Sequence, residues 1–326
     1  MSLRSFARLF TYTQLLPVLE SGEETLVGGQ AVMEGVMMRA PHSYCVAVRK
    51  PNGEIVTEEA PLAKVSEKYP IFKYPFVRGV GTLGQAMWLG MKALRFSANA
   101  ALDEEEQSGK KKEEITGGMM ALNLVVSLGF FIFLYKFVPL FLTSLLEKAI
   151  PALQGRILFN LTDGLIRMAI FLTFLYLISR MKDIRRVFEY HGAEHKVVFN
   201  FESGKPVNVA NAQQFVTWHP RCGTSFLLVV MVISMVLYAF LPFDGFVGKF
   251  LGRIALLPVV TGLSYELIRL AARRPNFFLT AITAPGLWLQ RITTQEPSDD
   301  QAEVAIRALD GAMELEKAQG GQLVIA

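Results

Sequence analysis

The chain has 326 residues, of which 52% are hydrophobic and only 19% are charged, and its 33 basic and 29 acidic residues give a formal net charge of +4. Ordinary soluble domains have about 25% charged residues, so this composition excludes a disordered chain and argues against a wholly soluble one. The presence of only 2 cysteines excludes a disulfide scaffold, and the near balance of charge argues against nucleic acid as a partner.

Residues 1–75 are predicted to form a small cytoplasmic α+β unit. Arg4 and Arg8 precede a weakly apolar stretch that lacks a small-residue cleavage site, so we interpret it as retained and not as a signal peptide. β-Branched residues alternate on both sides of Asn52-Gly53, which is the pattern of a β-hairpin. Residues 28–39 place Gln30 and Glu34 in an apolar run, which either turns tightly into a buried strand or lines a cytoplasmic site.

Residues 76–102 are apolar but include Arg78, Lys92 and Arg95. This is too much charge for a membrane span, and the pattern favours an interfacial helix that lies at the membrane surface. Residues 103–116, which contain the runs Glu-Glu-Glu and Lys-Lys-Lys, are predicted to be a charged linker.

The membrane domain is predicted within residues 117–270. A span needs about 20 mostly apolar residues, and four windows approach this length: 119–142, 157–178, 226–240 and 252–268. In the second window Asp163 and Arg167 are four residues apart, so they are predicted to pair near the outer face. The tail, residues 271–326, contains a predicted helix that Ser298 caps. The predicted fold class is therefore a membrane α-helical protein with about four transmembrane helices, a small cytoplasmic α+β N-terminal unit and a C-terminal helix.

The distribution of lysine and arginine predicts the orientation in the bilayer. One side would hold three lysines before the first span, seven basic residues between the second and third, and four after the fourth. The other side would hold only Lys148, Arg156, Lys249 and Arg253. Because cytoplasmic loops carry the excess of basic residues, both termini and the loop 180–225 are predicted to be cytoplasmic.

The loop 180–225 carries the residues best suited to chemistry. His191, Glu194 and His195 form the pattern H-x-x-E-H, which places both imidazoles on one face of a helix. Two such nitrogens can bind Zn²⁺, and the neighbouring carboxylate can act as general base toward a water molecule that the metal activates. The same order of residues marks the inverted zinc peptidases.

Further candidate ligands follow along the chain. His219 and Cys222 lie at H-x-x-C spacing before the third span, and Glu266 lies near the predicted cytoplasmic end of the fourth. Three ligands would leave a position for water, whereas four would make a structural site. The alternative is that the histidines face lipid headgroups or pack, that Cys222 is a small buried hydrophobic residue, and that Glu266 pairs with Arg269 or Arg253. The H-x-x-C spacing of His42 and Cys45 is interpreted as coincidental.

Four ordered strings resemble the YqhQ-like family of bacterial membrane proteins: GGQAVMEGVMMR at 28–39, EYHGAEHK at 189–196, HPRCGTS at 219–225 and PGLWLQR at 285–291. The resemblance extends over residues 25 to 310. It implies a protein of a family of unknown function whose members are often labelled as metal-dependent enzymes, located in the bacterial inner membrane. It adds weight to the histidine, glutamate and cysteine residues of the loop, and to Gln30 and Glu34 as residues that line the site.

We therefore expect a membrane enzyme that depends on a divalent metal, with zinc as the favoured ion and hydrolysis as the favoured reaction. Its partners would be the lipid bilayer and a peptide, protein or lipid-linked substrate at the membrane surface, and a homo-oligomer is compatible with the pattern. The alternative hypothesis is a non-catalytic membrane assembly or scaffold factor in which the histidine cluster is structural.

Overall fold

The structure is a computed structural model that describes residues 27–63, 65–102, 117–219, 222–243, 245–273 and 277–318. Within these residues the fold is mostly helical, with one small antiparallel sheet near the N-terminus. The expectations for Arg4, Arg8, the linker 103–116, Arg221 and Arg274 lie outside the described residues.

The four strands form an antiparallel meander in the order β1-β2-β3-β4: β1 Gly28–Val32, β2 Gly35–Arg39, β3 Ser43–Arg49 and β4 Ile55–Pro61. The predicted hairpin is confirmed, because β3 and β4 pair around a turn in which Gly53 has a φ of 89°. The segment 28–39 is itself a strand, a turn and a second strand. Glu34 lies in this turn with a φ of 52°, a conformation that few non-glycine residues adopt.

Helices cover both faces of the sheet. Strand residues point to alternate faces, so Met38 and Cys45 pack on one side with α5 (Lys182–Glu202) and α10 (Asp299–Ala318). Met37 and Tyr44 pack on the other side with Leu89 of α1 (Val77–Leu102). The near-continuous burial of β2 and β3 follows from this arrangement. The sheet therefore fixes α5, which carries the H-x-x-E-H residues.

The apolar windows of the sequence form helices in the structure. The longest begins as α2 (Gly117–Ile132), passes through a π-helical turn at Phe133–Phe137 and continues as α3 (Val138–Ala149). The others are α4 (Arg156–Ser179), α6 (Gly223–Ala239), α7 (Phe246–Ala255), α8 (Leu257–Arg273) and α9 (Phe277–Thr293). One-turn helices at Val65–Lys68 and Val209–Ala212 and 3₁₀ turns at Pro70–Lys73 and Pro151–Gln154 complete the described elements.

Two of these helices, Leu122–Ala149 and Arg156–Ser179, are long and apolar enough to cross a membrane. The third predicted window is a 17-residue helix, which is shorter than a usual span. The fourth is not the single straight helix that was expected, because α7 and α8 meet at a bend of 48° beside Leu256. Among the described residues, two helices are therefore long and apolar enough to span a membrane, or three if the bent pair counts as one span, compared with the four that were predicted.

The C-terminal helix begins where the sequence predicts. The Ser298 hydroxyl accepts a hydrogen bond from the Gln301 amide at 3.3 Å, and the Gln301 side chain accepts one from the Ser298 amide at 2.9 Å. This reciprocal pair is a capping box, which satisfies two amides that a helix start would otherwise leave unpaired. The small residues of α10 then pack against the sheet.

Candidate metal centre

Three potential ligand atoms converge at the junction of α5 and α6. One nitrogen from each of His191 and His195 and the sulfur of Cys222 all lie within 4.8 Å of one another. The His191 Nε2 to Cys222 Sγ distance is 3.3 Å. His195 is buried at 2% exposure, whereas His191 and Cys222 are half-buried. The cluster is therefore partly accessible to solvent through His191 and Cys222.

Both histidines of the cluster are oriented by backbone carbonyls. His191 Nδ1 lies 2.8 Å from the carbonyl oxygen of Thr293, and His195 Nδ1 lies 2.5 Å from that of Thr217. A carbonyl only accepts hydrogen bonds, so each ring carries its proton on Nδ1 and presents Nε2 as a lone pair. This is the arrangement in which second-shell groups fix the tautomer of metal-binding histidines.

A glycine allows α5 to approach the chain that follows α9. A Cβ atom on Gly192 would lie 1.9 Å from the carbonyl oxygen of Gln295. The Gln295 amide donates to the carbonyl of Phe188 at 2.9 Å, which holds the two segments together. The glycine within H-x-x-E-H is therefore required by close packing, and that packing brings Thr293 to His191.

Glu194, the residue predicted to be a general base, lies beside the cluster. Its Oε2 is 3.4 Å from His195 Nε2, and the residue is only 5% exposed. Gly29 of β1 packs so closely against it that a Cβ there would lie 2.8 Å from the Glu194 Cγ. The sheet thus contributes to the wall of the site through a glycine.

His219 was expected to be a ligand, but it is not among the three converging atoms. Its Nε2 lies 3.3 Å from a carboxylate oxygen of Glu202, and its ring lies 5.7 Å from that of His195. Burial lowers the pKa of His219 to about 4, so the imidazole is neutral near pH 7. His219 therefore lines the site beside the cluster.

Glu266 was also expected to be a ligand, and the structure instead places it in another interaction. Its carboxylate binds Arg78 of α1, with a distance of 2.6 Å to Nε, and accepts from the Phe76 amide at 3.2 Å. Of the two arginines that were expected as alternative partners, Arg253 binds Asp163 at 2.6 Å instead, and Arg269 acts on Glu266 through its charge. Glu266 fastens α8 to the start of α1.

Gln30 and Glu34 make contacts near the site without touching the cluster. The Gln30 side chain donates to the Ala86 carbonyl at 3.1 Å and lies against Gly90, so it joins β1 to α1. Glu34 accepts from Arg186 at 2.6 Å and lies 3.3 Å from the Tyr190 hydroxyl. Both residues position β1 and α5, whereas Gly29, which precedes Gln30 in β1, packs directly against Glu194.

Gln290 of α9 is a residue of the site that sequence reasoning missed. It is fully buried, and it bonds to both the amide and the carbonyl of His219. A signal was present, because Gln290 is a polar residue at the end of the apolar run 286–289 within one of the quoted strings. The Thr217 and Thr293 carbonyls are backbone groups, which no side-chain pattern could indicate.

The chain is similar to known proteins in sequence. A family model described as "Protein of unknown function (DUF1385)" matches residues 74–315, which include every residue of the cluster. The "Uncharacterized protein YqhQ" of Bacillus subtilis strain 168 is 36% identical over 297 residues, covering 89% of this chain and 92% of that protein. No solved structure gave a significant match.

Proposed function

The chain belongs to the DUF1385 family, and we propose that it is a metal-dependent hydrolase of the bacterial inner membrane with its active site at the cytoplasmic surface. His191, His195 and Cys222 would hold the metal, and Glu194 would be the general base. The observation that carries this proposal is the convergence of three ligand atoms within 4.8 Å on histidines whose tautomers are already fixed.

The donor set fits a zinc ion. Two imidazole nitrogens and one thiolate are ligands that Zn²⁺ accepts, and three protein ligands are typical of catalytic zinc sites, which keep a position for water. The 3.3 Å between His191 Nε2 and Cys222 Sγ is short enough for both atoms to bind one ion with little movement. When bound, the ion would supply Lewis acidity that lowers the pKa of a water molecule and polarises a substrate oxygen.

In this proposal Glu194 would move the proton. Its carboxylate lies 3.4 Å from His195 Nε2, so it borders the position that the three ligand atoms surround. As general base it would accept a proton from the attacking water and return it to the leaving group. Glu194 is only 5% exposed, so the attraction between its carboxylate and a bound metal ion would be stronger than in water.

The position of the cluster supports a substrate at the membrane surface. α5 follows directly after α4, which is one of the two helices long enough to cross a membrane. Cys222 immediately precedes the apolar helix α6. Basic residues concentrate in the loop 180–225, which favours a cytoplasmic location for the site. Because His191 and Cys222 are the half-exposed members, a peptide, protein or lipid-linked substrate would approach from their side.

One observation favours a non-catalytic alternative. The cluster joins several segments of the chain. His191 bonds to the Thr293 carbonyl, His195 bonds to the Thr217 carbonyl, and Cys222 directly precedes α6. A metal could therefore staple these segments in an assembly factor without any reaction. The two functions differ in their need for the Glu194 carboxylate.

The variant Glu194→Gln separates them, because it keeps the shape of the side chain and removes its basicity. In cells that lack the wild-type gene, comparative proteomics and lipidomics of membranes should show the same accumulated substrate for Glu194→Gln as for the deletion. The matched control is Glu189→Gln on the same helix, which should behave as wild type. If Glu194→Gln retains metal and also matches wild-type membranes, the enzyme is excluded and the staple remains.

A further inference from the structure

Three cationic side chains converge on the ring of Tyr238, away from the metal centre. Lys136 Nζ lies 5.0 Å from the ring centroid, and the guanidinium carbons of Arg167 and Arg253 each lie 5.1 Å from it. Lys136 also donates to the Tyr238 hydroxyl at 2.6 Å. These cations come from the π-helical turn, from α4 and from α7, so the cluster forms only where the apolar helices meet.

Two of the three cations share one carboxylate. Asp163 binds both Arg167 and Arg253, the latter at 2.6 Å, which confirms the predicted pairing with Arg167 and adds a second arginine. Arg253 is 1% exposed and Arg167 is 3% exposed. Among the described residues, Asp163 is the one carboxylate whose charge acts on Arg253. Two guanidinium groups, which stay protonated, therefore share one carboxylate in a buried place, and a second anion would neutralise the remaining positive charge.

The hydrogen bonds of the cluster are also incomplete. Arg167 uses its terminal nitrogens for Asp163 and for the Ser234 hydroxyl, at 2.7 Å for the latter. Its Nε is buried and has no hydrogen-bond partner among the described residues. Buried donors are rarely left unpaired, so this nitrogen indicates a missing acceptor. The π-helical turn that carries Lys136 is a further indication, because such turns are frequent at functional sites.

We propose that this cluster binds the phosphate group of an anionic phospholipid. Phosphate oxygens are the acceptors that arginine and lysine prefer, and they would supply the negative charge that Asp163 alone does not. The surroundings suit the acyl chains of a lipid, because Phe137 packs on Phe246 and Phe250 with centroid distances of 5.3 and 6.0 Å. Val247 and Leu251 of α7 are 66% and 58% exposed beside them.

This lipid site is separate from the metal centre. Arg167 lies about 18 Å along α4 from its cytoplasmic end at Ser179, where the chain leads into α5. The inference rests on the membrane location proposed above and is independent of the metal and of hydrolysis. A negative result in the lipid test therefore does not bear on the metal centre. Likewise, a protein that binds no metal can still be tested for lipid binding.

The test is thermal unfolding of the purified full chain in a nonionic detergent. Phosphatidylglycerol at a hundredfold excess over its Kd should raise the Tm by about 5 °C, whereas phosphatidylcholine with the same acyl chains should leave it unchanged. Equal shifts with both lipids would overturn the proposal. An equal shift with inorganic phosphate alone would overturn the lipid assignment and indicate a soluble phosphate.

Variants of one residue locate the effect. Lys136→Met should lose the shift that phosphatidylglycerol causes, and Lys136→Arg, which keeps the charge, should retain it. The matched control is Lys148→Met, at an exposed position on α3, which should respond as wild type. If phosphatidylglycerol raises the Tm of Lys136→Met as much as that of wild type, the cluster is not the lipid site. If Lys136→Met does not fold, the test uses Lys136→Arg alone. Loss of the Tm shift in folded Lys136→Arg would then show that a positive charge at this position is not sufficient, which contradicts the proposal.

Discussion

The side chain of Gln290 forms hydrogen bonds with both the backbone amide and the backbone carbonyl of His219. Its Oε1 accepts from the His219 amide at 2.7 Å, and its Nε2 donates to the His219 carbonyl at 2.8 Å. The same Nε2 lies 3.0 Å from the Ser225 hydroxyl on α6. One buried side chain of α9 therefore holds the two ends of the segment that delivers Cys222 to the histidines.

This clamp predicts the effect of Gln290→Ala. The variant would remove the hydrogen bonds that Gln290 makes to the His219 amide and carbonyl, while the carbonyl would keep its 3.3 Å bond from the Cys222 amide. Loss of buried hydrogen bonds of this kind lowers the free energy of unfolding by about 1–3 kcal/mol. The freed segment should also lower zinc affinity about 10- to 100-fold, as loss of second-shell groups does. Titration with a competing chelator measures the affinity, and the exposed Gln214→Ala is the control. Unchanged affinity in a folded Gln290→Ala protein would refute the clamp.

Gly192→Ala should displace α5 from the segment after α9. The added Cβ would lie 1.9 Å from the Gln295 carbonyl oxygen, so the two backbones must separate. We expect a loss of about 1–3 kcal/mol in stability, typical of overpacking, together with weakened metal binding as Thr293 moves away from His191. Gly84→Ala on α1 is the control, because nothing lies within 4 Å of a Cβ at that position. Its Tm should stay the same or rise slightly. A Gly192→Ala protein with wild-type Tm and metal affinity would contradict this packing.

The two cysteines should differ in reactivity. Burial raises the pKa of Cys45 to about 12, with a further contribution from Glu59, so only about one thiol in ten thousand is ionised at pH 8. Cys222 is half-buried beside His191 and should be alkylated in the metal-free protein. Zinc should protect it. Mass spectrometry of the labelled peptides measures both, and labelling of Cys222 that is equally fast with and without zinc would contradict ligation.

Glu266→Gln should leave metal content unchanged. The carboxylate binds Arg78 and not the cluster, and this pair is partly exposed, so its loss should lower the free energy of unfolding by no more than about 1 kcal/mol. The zinc content of Glu266→Gln should be measured together with that of Cys222→Ser, which removes a proposed ligand. If Glu266→Gln loses as much zinc as Cys222→Ser, the assignment of Glu266 to Arg78 alone is wrong.

The sequence predicts the local parts of this molecule well. The hairpin at Asn52-Gly53, the helix that follows Ser298 and the helical H-x-x-E-H residues each depend on neighbours within a few positions. Such short-range patterns carry their own physical signal, and the convergence of His191 and His195 on one face follows from helical periodicity.

Contacts between segments that are distant in the chain could not be predicted from the sequence. Glu266 binds Arg78, 188 residues away, although Arg269 is nearer in the chain and of the same charge. His219 lies close to the cluster, but its Nε2 lies 3.3 Å from Glu202, and Gln290 holds its backbone. Choosing among partners of equal chemistry requires the packing of α1 on α8 and of α9 on α6, which no spacing rule specifies.

The most direct test is the zinc content of the purified chain in detergent, measured by elemental mass spectrometry after removal of loosely bound metal. We predict about one zinc per chain for wild type and for the control His42→Ala, because His42 binds Glu316 and not the cluster. The double variant His191→Ala, His195→Ala should retain almost none while remaining folded. A folded double variant that keeps stoichiometric zinc, or a wild-type chain that binds none when zinc is supplied, would contradict the metal centre.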